Sequence, residues 1–414
     1  MKPQKVIVIG GGAAGYFAAI TAAEMSPRAQ VTLIEASAKP LAKVRVSGGG
    51  RCNVTNGCTD SAEFVKQYPR GSQELHGPFS RFQAKDTMQW FERRGVSLKV
   101  EADGRVFPVS DSSKTITDCL EDAAQRAGVT VRLRCKALGI EAIAAQGGGF
   151  RVSIEQEQRR EFIESRNVLL ATGSASRGYA FARKLGHTIQ PCVPSLFTFE
   201  LNDERLTKLS GVSVPQASLA LAAASSVFVE AGPLLITHWG LSGPAVIRLS
   251  AWAARPLFDC GYAARLKVNW LGEMVCEHAL EELLAAKDRH PKRSVFANAM
   301  FGLPKRLWEY LVTAVGISEQ DTWATIAKRK IRQLAEALTG MHFEVCGKGV
   351  FKEEFVTCGG VTRKELDFRT MESRQCRHLF FAGEILDIDG VTGGFNFQAA
   401  WTTAWIAGCA MAAS

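Results

Sequence analysis

The chain opens on a block that leaves little freedom for its fold. Val6-Ile7-Val8-Ile9 leads into Gly10-Gly11-Gly12-Ala13-Ala14-Gly15, a helical segment runs to about Glu24, and Val31-Thr32-Leu33-Ile34 ends on Glu35. The order strand, glycine turn, helix, strand, acid is that of a dinucleotide-binding βαβ unit, and each part has a physical task. Gly10 permits the tight turn, Gly12 lets the backbone approach a pyrophosphate, and Gly15 lets helix and strand pack closely. Around Ala13 and Ala14 the helix start offers unpaired N–H groups and roughly half a positive charge to the phosphates. Glu35 stands where a ribose presents its hydroxyls.

Size and composition narrow the setting. With 414 residues, 46% hydrophobic and 22% charged, the chain has room for two or three soluble domains. The most apolar stretch, 218–236, is interrupted by Glu230 and Pro233, so no membrane span is expected. Lys2 and Lys5 before an apolar run to Ala23 have the look of a secretory leader. That run carries the glycine fingerprint, however, and retention is expected. Eleven scattered cysteines without a CxxC pair disfavour a disulfide framework, a zinc site and a dithiol relay. They read as reduced thiols of a cytoplasmic protein with no metal. Residues 1–190 hold 27 Lys/Arg against 18 Asp/Glu, and the remainder 23 of each, so the whole excess of +9 sits with the fingerprint. A cofactor's phosphates and ordinary solvation account for it, and no nucleic-acid partner is expected.

The pattern along the chain is α/β to about residue 190, with helices expected near 84–94 and 113–127. Strands are expected near Leu98 to Pro108, Thr130 to Leu133, Leu138 to Ala144, Phe150 to Glu155 and Asn167 to Leu170, with Gly147-Gly148-Gly149 as one turn. Short alternating segments from about 195 to 271 suggest a small β-barrel or sandwich, and 273–340 has helical periodicity. A strand near Met341 to Phe351 returns to the β region, the α/β pattern resumes from Glu354, and a helix closes the chain over 395–413. The fold class is therefore α/β, with a discontinuous Rossmann-like domain (1–190 and 354–414). A β domain (191–272 and 341–353) and a helical domain (273–340) are inserted into it.

Three distant features favour FAD over NAD. Ala171-Thr172-Gly173 ends a buried strand; Leu379 to Ala382 runs into Gly383-Glu384, followed by Asp387; and Gly393-Gly394-Phe395-Asn396 opens the last helix. A flavin needs a carboxylate to order its ribityl hydroxyls and a helix N-terminus aimed at the N1/O2 edge, where reduction places negative charge. No second complete fingerprint for NAD is visible.

With these residues in view, the chain resembles the two-dinucleotide-binding-domains flavoproteins, and within them the BaiN/RdsA-like (YhiN-type) NAD(P)/FAD-dependent oxidoreductases. Besides the fingerprint, the markers are Ser47-Gly48-Gly49-Gly50-Arg51-Cys52-Asn53-Val54-Thr55-Asn56, Gly104 to Pro108, Thr237 to Pro244, Gly359 to Val361 and the 381–398 segment. The resemblance implies a split FAD domain, a β-barrel and a helical insertion. It also implies that Lys43, Ser47, Gly48, Gly50, Arg51, Cys52, Asn53, Arg105 and Val106 join the cofactor set. Cys52 without a partner thiol reads first as a packing residue and second as a nucleophile. His238 reads first as a turn-orienting residue and second as a general acid or base.

The expected activity is that of an FAD-dependent oxidoreductase acting on a small organic molecule, with NAD(P)H as diffusible electron donor. A flavin amine oxidase using oxygen is the enzymatic alternative, and a flavin-dependent RNA-modifying or RNA-binding protein the alternative from another class. Oligomeric state is not legible.

Overall fold

The computed structural model describes residues 4–143, 148–349 and 356–414. The expected strand end at Ala144, the turn residue Gly147, the end of the returning strand at 350–351 and the junction at 353/354 lie outside them. The chain divides into two compact units, Met1–Cys192 with Val356–Ser414, and Val193–Phe355.

The first unit is built on the opening βαβ. Among the described residues its main sheet has seven strands in the order Leu366–Asp367, Glu372–Ser373, Leu379–Phe381, Asn167–Leu170, Lys5–Ile9, Gln30–Ile34 and Thr130–Arg132. The last five run parallel and the first two are antiparallel additions at one edge. The central strands are buried on both faces, as an all-apolar Val6-Ile7-Val8-Ile9 and Val168-Leu169-Leu170 require. The first helix, Ala13–Met25, and the terminal helix, Phe395–Ala413, pack on each other and are apolar almost all round. Their approach depends on small residues: a Cβ on Gly408 would lie 2.7 Å from Cβ of Thr21.

Besides helices at Ser61–Val65, Ser72–Arg81 and Ser176–Lys184 that the sequence reading does not expect, two strands differ from it. Arg159–Ser165 is a third strand beside Cys135–Ala142 and Phe150–Gln156; its charge-rich, largely exposed face hides the strand pattern. Val356–Val361 does not join the main sheet but pairs with Ile189–Ser195. Gly359, at φ +114°, allows that pairing, since a Cβ there would meet the Pro191 carbonyl oxygen at 2.3 Å.

Among the described residues of the second unit, six antiparallel strands close a barrel in the order Phe199–Leu201, Gly240–Ser242, Ser226–Ile236, Ser213–Ala223, Ala264–Asn269 and Met341–Lys348. Alternation fills its interior with Leu219, Leu221, Leu234, Ile236, Leu266 and Val268. Helices Cys276–Arg289, Lys305–Ala314 and Lys328–Gly340 bury Leu283, Trp308, Leu311 and Leu334 in the same core.

Among the described residues no helix is long and apolar enough to cross a membrane, and no cluster of His, Cys, Asp and Glu is arranged to hold a metal ion. Among the described residues no disulfide joins the cysteines.

Candidate functional site

The glycine fingerprint folds as a set of steric necessities around one cavity. Gly10 sits at φ +112°, and a Cβ on it would lie 2.3 Å from the Ala171 carbonyl oxygen. A Cβ on Gly15 would lie 1.8 Å from the Gly10 carbonyl oxygen, so helix and strand can meet only through hydrogen atoms there. Gly12 is different: nothing lies within 4 Å of where its Cβ would be. It caps the first helix and opens onto a cavity of about 440 Å³, inside the range of small-molecule sites.

That cavity lies wholly within the first unit. From the sequence-predicted set it is lined by Gly10, Gly12, Ala13, Ala14, Glu35, Lys43, Ala171, Thr172, Gly173, Gly383, Glu384 and Asn396. Segments separated by more than 300 residues thus converge on one space. Glu35 is held in place by the Gly11 N–H on Oε2, 2.7 Å, and the Ser37 N–H on Oε1, 2.6 Å. Glu384 accepts from the Thr357 N–H at 3.1 Å and pairs with the Lys43 ammonium at 2.6 Å, which also reaches the Ser174 hydroxyl at 3.3 Å. Gly383 sits at φ +76°, a Cβ there would lie 2.8 Å from Cβ of Ala14, and its N–H donates to the Thr403 hydroxyl at 3.0 Å.

The other sequence-predicted residues are not among those lining the cavity: Gly15, Ser47, Gly48, Gly50, Arg51, Cys52, Asn53, Arg105, Val106, Asp387, Gly393, Gly394 and Phe395. Three successive left-handed glycines, Gly48, Gly49 and Gly50, turn the chain after the short helical segment that carries Lys43. Asn53, with its amide oriented to satisfy its neighbours, donates to the Thr55 carbonyl at 2.9 Å and accepts the Gly394 N–H at 2.8 Å. Asn56 donates to the Gly393 carbonyl at 3.1 Å. Behind them Thr55 and Thr87 donate to Oε1 of Gln398, and Trp401 donates to the Val54 carbonyl. These bonds pin the Ser47 to Asn56 block to the terminal helix. Arg51 faces elsewhere, paired with Glu101 at 2.6 Å and stacked over the Phe107 ring at 3.9 Å. Arg105 pairs with Asp103 and Glu101, Val106 is buried, and Asp387 pairs with Arg363 at 3.0 Å.

The two catalytic candidates have ordinary explanations in their surroundings. Cys52 is fully enclosed, and burial pushes its thiol up to about 12, with a hydrogen bond to Ser47 only partly opposing. At neutral pH it stays a thiol, without the charge a nucleophile or metal ligand needs. His238 is exposed in the second unit, where Nδ1 meets the Ser210 hydroxyl at 2.9 Å and the ring meets Trp239 edge-on. It sits in the turn that Thr237 and Gly240 close with mutual backbone bonds.

Sequence reasoning missed Leu41, Ser37, Phe397, Ala399, Ala400 and Thr403 among the lining residues. Leu41 is a bulky residue held at φ +58°, its N–H on the Gly11 carbonyl at 2.8 Å, a strained conformation that nothing in the local sequence announces. Ala399, Ala400 and Thr403 did carry a signal, since three and four residues apart they share one helix face.

The arrangement fits a flavin dinucleotide. Two helix N-termini open onto one cavity, the first at Gly12 to Ala14 and the terminal one at Asn396 and Phe397, each bringing first-turn N–H donors and partial positive charge. Carboxylates stand at Glu35 and Glu384, and the Ala and Leu side chains supply apolar walls.

A family model described as HI0933-like protein Rossmann domain matches residues 4–410. A protein of Escherichia coli K12 named ribosomal RNA dihydrouridine synthase is 32% identical, over 98% of this chain and 97% of its own length. One of Clostridium scindens named 3-dehydro-bile acid delta(4,6)-reductase is 28% identical, over 99% of each. Among solved structures, the Rhodococcus jostii 3-ketosteroid-delta4-(5alpha)-dehydrogenase superposes with a TM-score of 0.52 at 14% identity, covering 100% of this chain and 98% of its own, and so shares the fold.

Proposed function

The chain belongs to the HI0933-like Rossmann-domain family, the flavoprotein oxidoreductases it resembles in sequence, and from that premise we propose an FAD-dependent reductase of a carbon–carbon double bond conjugated to a carbonyl. The observation that carries the reading is the pair of helix N-termini facing one cavity with a carboxylate at Glu35 and another at Glu384. Glu35 would hold the adenosine ribose, the Ala13 and Ala14 N–H groups the diphosphate, and Glu384 the ribityl hydroxyls. The Asn396 and Phe397 N–H groups would face the pyrimidine edge, where the terminal helix favours negative charge. When bound, FAD supplies two-electron chemistry, accepting hydride equivalents from NAD(P)H and delivering them to the substrate. The chain's own work is to orient that ring and to stabilise charge at one edge of it.

The names of the two relatives share a chemical theme. Forming dihydrouridine and reducing a delta(4,6) system in a 3-dehydro bile acid both saturate a double bond activated by a nearby carbonyl. The favoured substrate is a small enone. A uridine in ribosomal RNA is the second reading, supported by the name of the Escherichia coli relative.

Anaerobic mixing with NADPH tests the donor: rapid bleaching of the flavin's long-wavelength absorbance supports a reductase. Absent bleaching, with peroxide formed when amines and oxygen are added, supports an amine oxidase instead. Reoxidation of the bleached protein by a 3-oxo-Δ4 steroid, but not by unmodified ribosomal RNA, supports the small enone, and the converse supports the RNA reading.

A further inference from the structure

The redox end of the cavity poses a mechanical problem. The terminal helix is aimed by a loop containing Gly390, Gly393 and Gly394, the last two at φ +127° and +96°. Glycines have no Cβ to limit their backbone, so a chain that relies on them for direction must borrow rigidity from its neighbours. Here the loan comes from residues 67–71, more than 300 positions earlier. Arg70 forks onto the Asp389 carboxylate through Nε and Nη2, and the backbones of the two residues form an antiparallel bridge. The Arg70 side chain is 15% exposed and that of Asp389 0%, so the pair is shielded from water. On the same strip the Gln67 carbonyl accepts the Val391 N–H at 2.9 Å, and the Tyr68 hydroxyl donates to the Phe395 carbonyl at 2.6 Å. Gly71, at φ +88°, makes room for Ile388, whose side chain borders the cavity.

We infer that Arg70 is a positioning residue for the redox centre: its fork on buried Asp389 fixes the loop that directs the first N–H groups of the terminal helix into the cavity. The inference rests on the flavin reading for what those N–H groups act on, but the loop's rigidity is a property of the chain alone. The bonds from Gln67 and Tyr68 on the same strip join neutral groups, whereas the Arg70 fork is charge-assisted, bidentate and desolvated. Lysine in its place would keep the charge and lose the planar fork.

The test pairs a measurement without cofactor with one on the loaded protein. In the apo-protein, Arg70→Lys is expected to speed amide hydrogen exchange of Gly393 to Phe397 about tenfold, while Ala14 to Tyr16 in the first helix stay within about twofold. In the FAD-loaded protein the same variant is expected to lose about tenfold in affinity for sulfite, a probe of negative-charge stabilisation at the flavin edge, with FAD affinity within about threefold of the parent. If Arg70→Lys does not fold, the double variant Arg70→Met/Asp389→Leu removes both buried charges at once and is expected to reproduce both effects. Exchange unchanged at Gly393 to Phe397, or accelerated equally at both helix starts, overturns the inference. So does unaltered sulfite affinity. A protein that takes up no FAD overturns the flavin reading, and the exchange measurement then still decides the role of Arg70.

Discussion

The two helix starts that face the cavity are built by opposite means. The first is local: Gly10, Gly15 and Glu35 fall within thirty residues, and their fit is a matter of backbone meeting backbone, as the 1.8 Å from a Gly15 Cβ to the Gly10 carbonyl oxygen makes plain. The terminal one is assembled over long range, through Arg70 on Asp389, Asn56 on Gly393 and Trp401 on the Val54 carbonyl. A local device forms with the first βα unit and tolerates almost no substitution. A long-range device depends on the closure of loops spanning most of the unit, so its precision can fail while the fold survives.

The sharpest way to break this contrast is Gly15→Ala. With backbone atoms in the way, neither helix nor strand can yield, and a loss of at least ~3 kcal/mol in urea unfolding of the first unit is expected, with no FAD uptake. Gly394→Ala strikes the other end. Its Cβ would lie 2.3 Å from the Thr55 carbonyl at a φ of +96°, and about 2 kcal/mol of strain is expected, absorbed by the loop rather than by the sheet. Circular dichroism should stay near that of the parent while FAD affinity drops. If Gly394→Ala instead unfolds the unit as fully as Gly15→Ala, the distinction between local and long-range construction is wrong.

Gly12→Ala sharpens the comparison within the first end. Because nothing borders the new methyl but the cavity, melting temperature without cofactor should move little, while FAD affinity, measured by fluorescence titration, falls about tenfold. Equal affinity would mean that no phosphate approaches Gly12. The smallest effect is expected for Lys43→Met. The Lys43 side chain is half exposed, so its pair with Glu384 should contribute less than ~1 kcal/mol to folding, and a severalfold loss of FAD affinity is the expected reading.

What the sequence disclosed follows the same division. Gly10 to Glu35 could be read outright because strand, turn, helix and acid are consecutive, and the helix at 395–413 because its apolar run is long and begins at two glycines. The Ser47 to Asn56 block was singled out through resemblance, but its manner of action was not legible. Asn53 and Asn56 grip the Gly393-Gly394 turn, while Arg51, read as a charge for the cofactor, is taken up by Glu101 and Phe107. Arg70 and Leu41 carried no signal at all. An arginine paired across 319 residues, or a leucine forced to a positive φ by a carbonyl of a distant turn, is set by tertiary closure rather than by local preference.

The flavin reading requires one cavity, walled by the starts of the first and last helices, to hold a single FAD. Purified or reconstituted protein should show a flavin spectrum, and denaturation should release one equivalent of FAD per chain, with Gly12→Ala reducing that occupancy at limiting cofactor. Release of FMN or of a nicotinamide dinucleotide, or no chromophore after reconstitution with FAD, contradicts it.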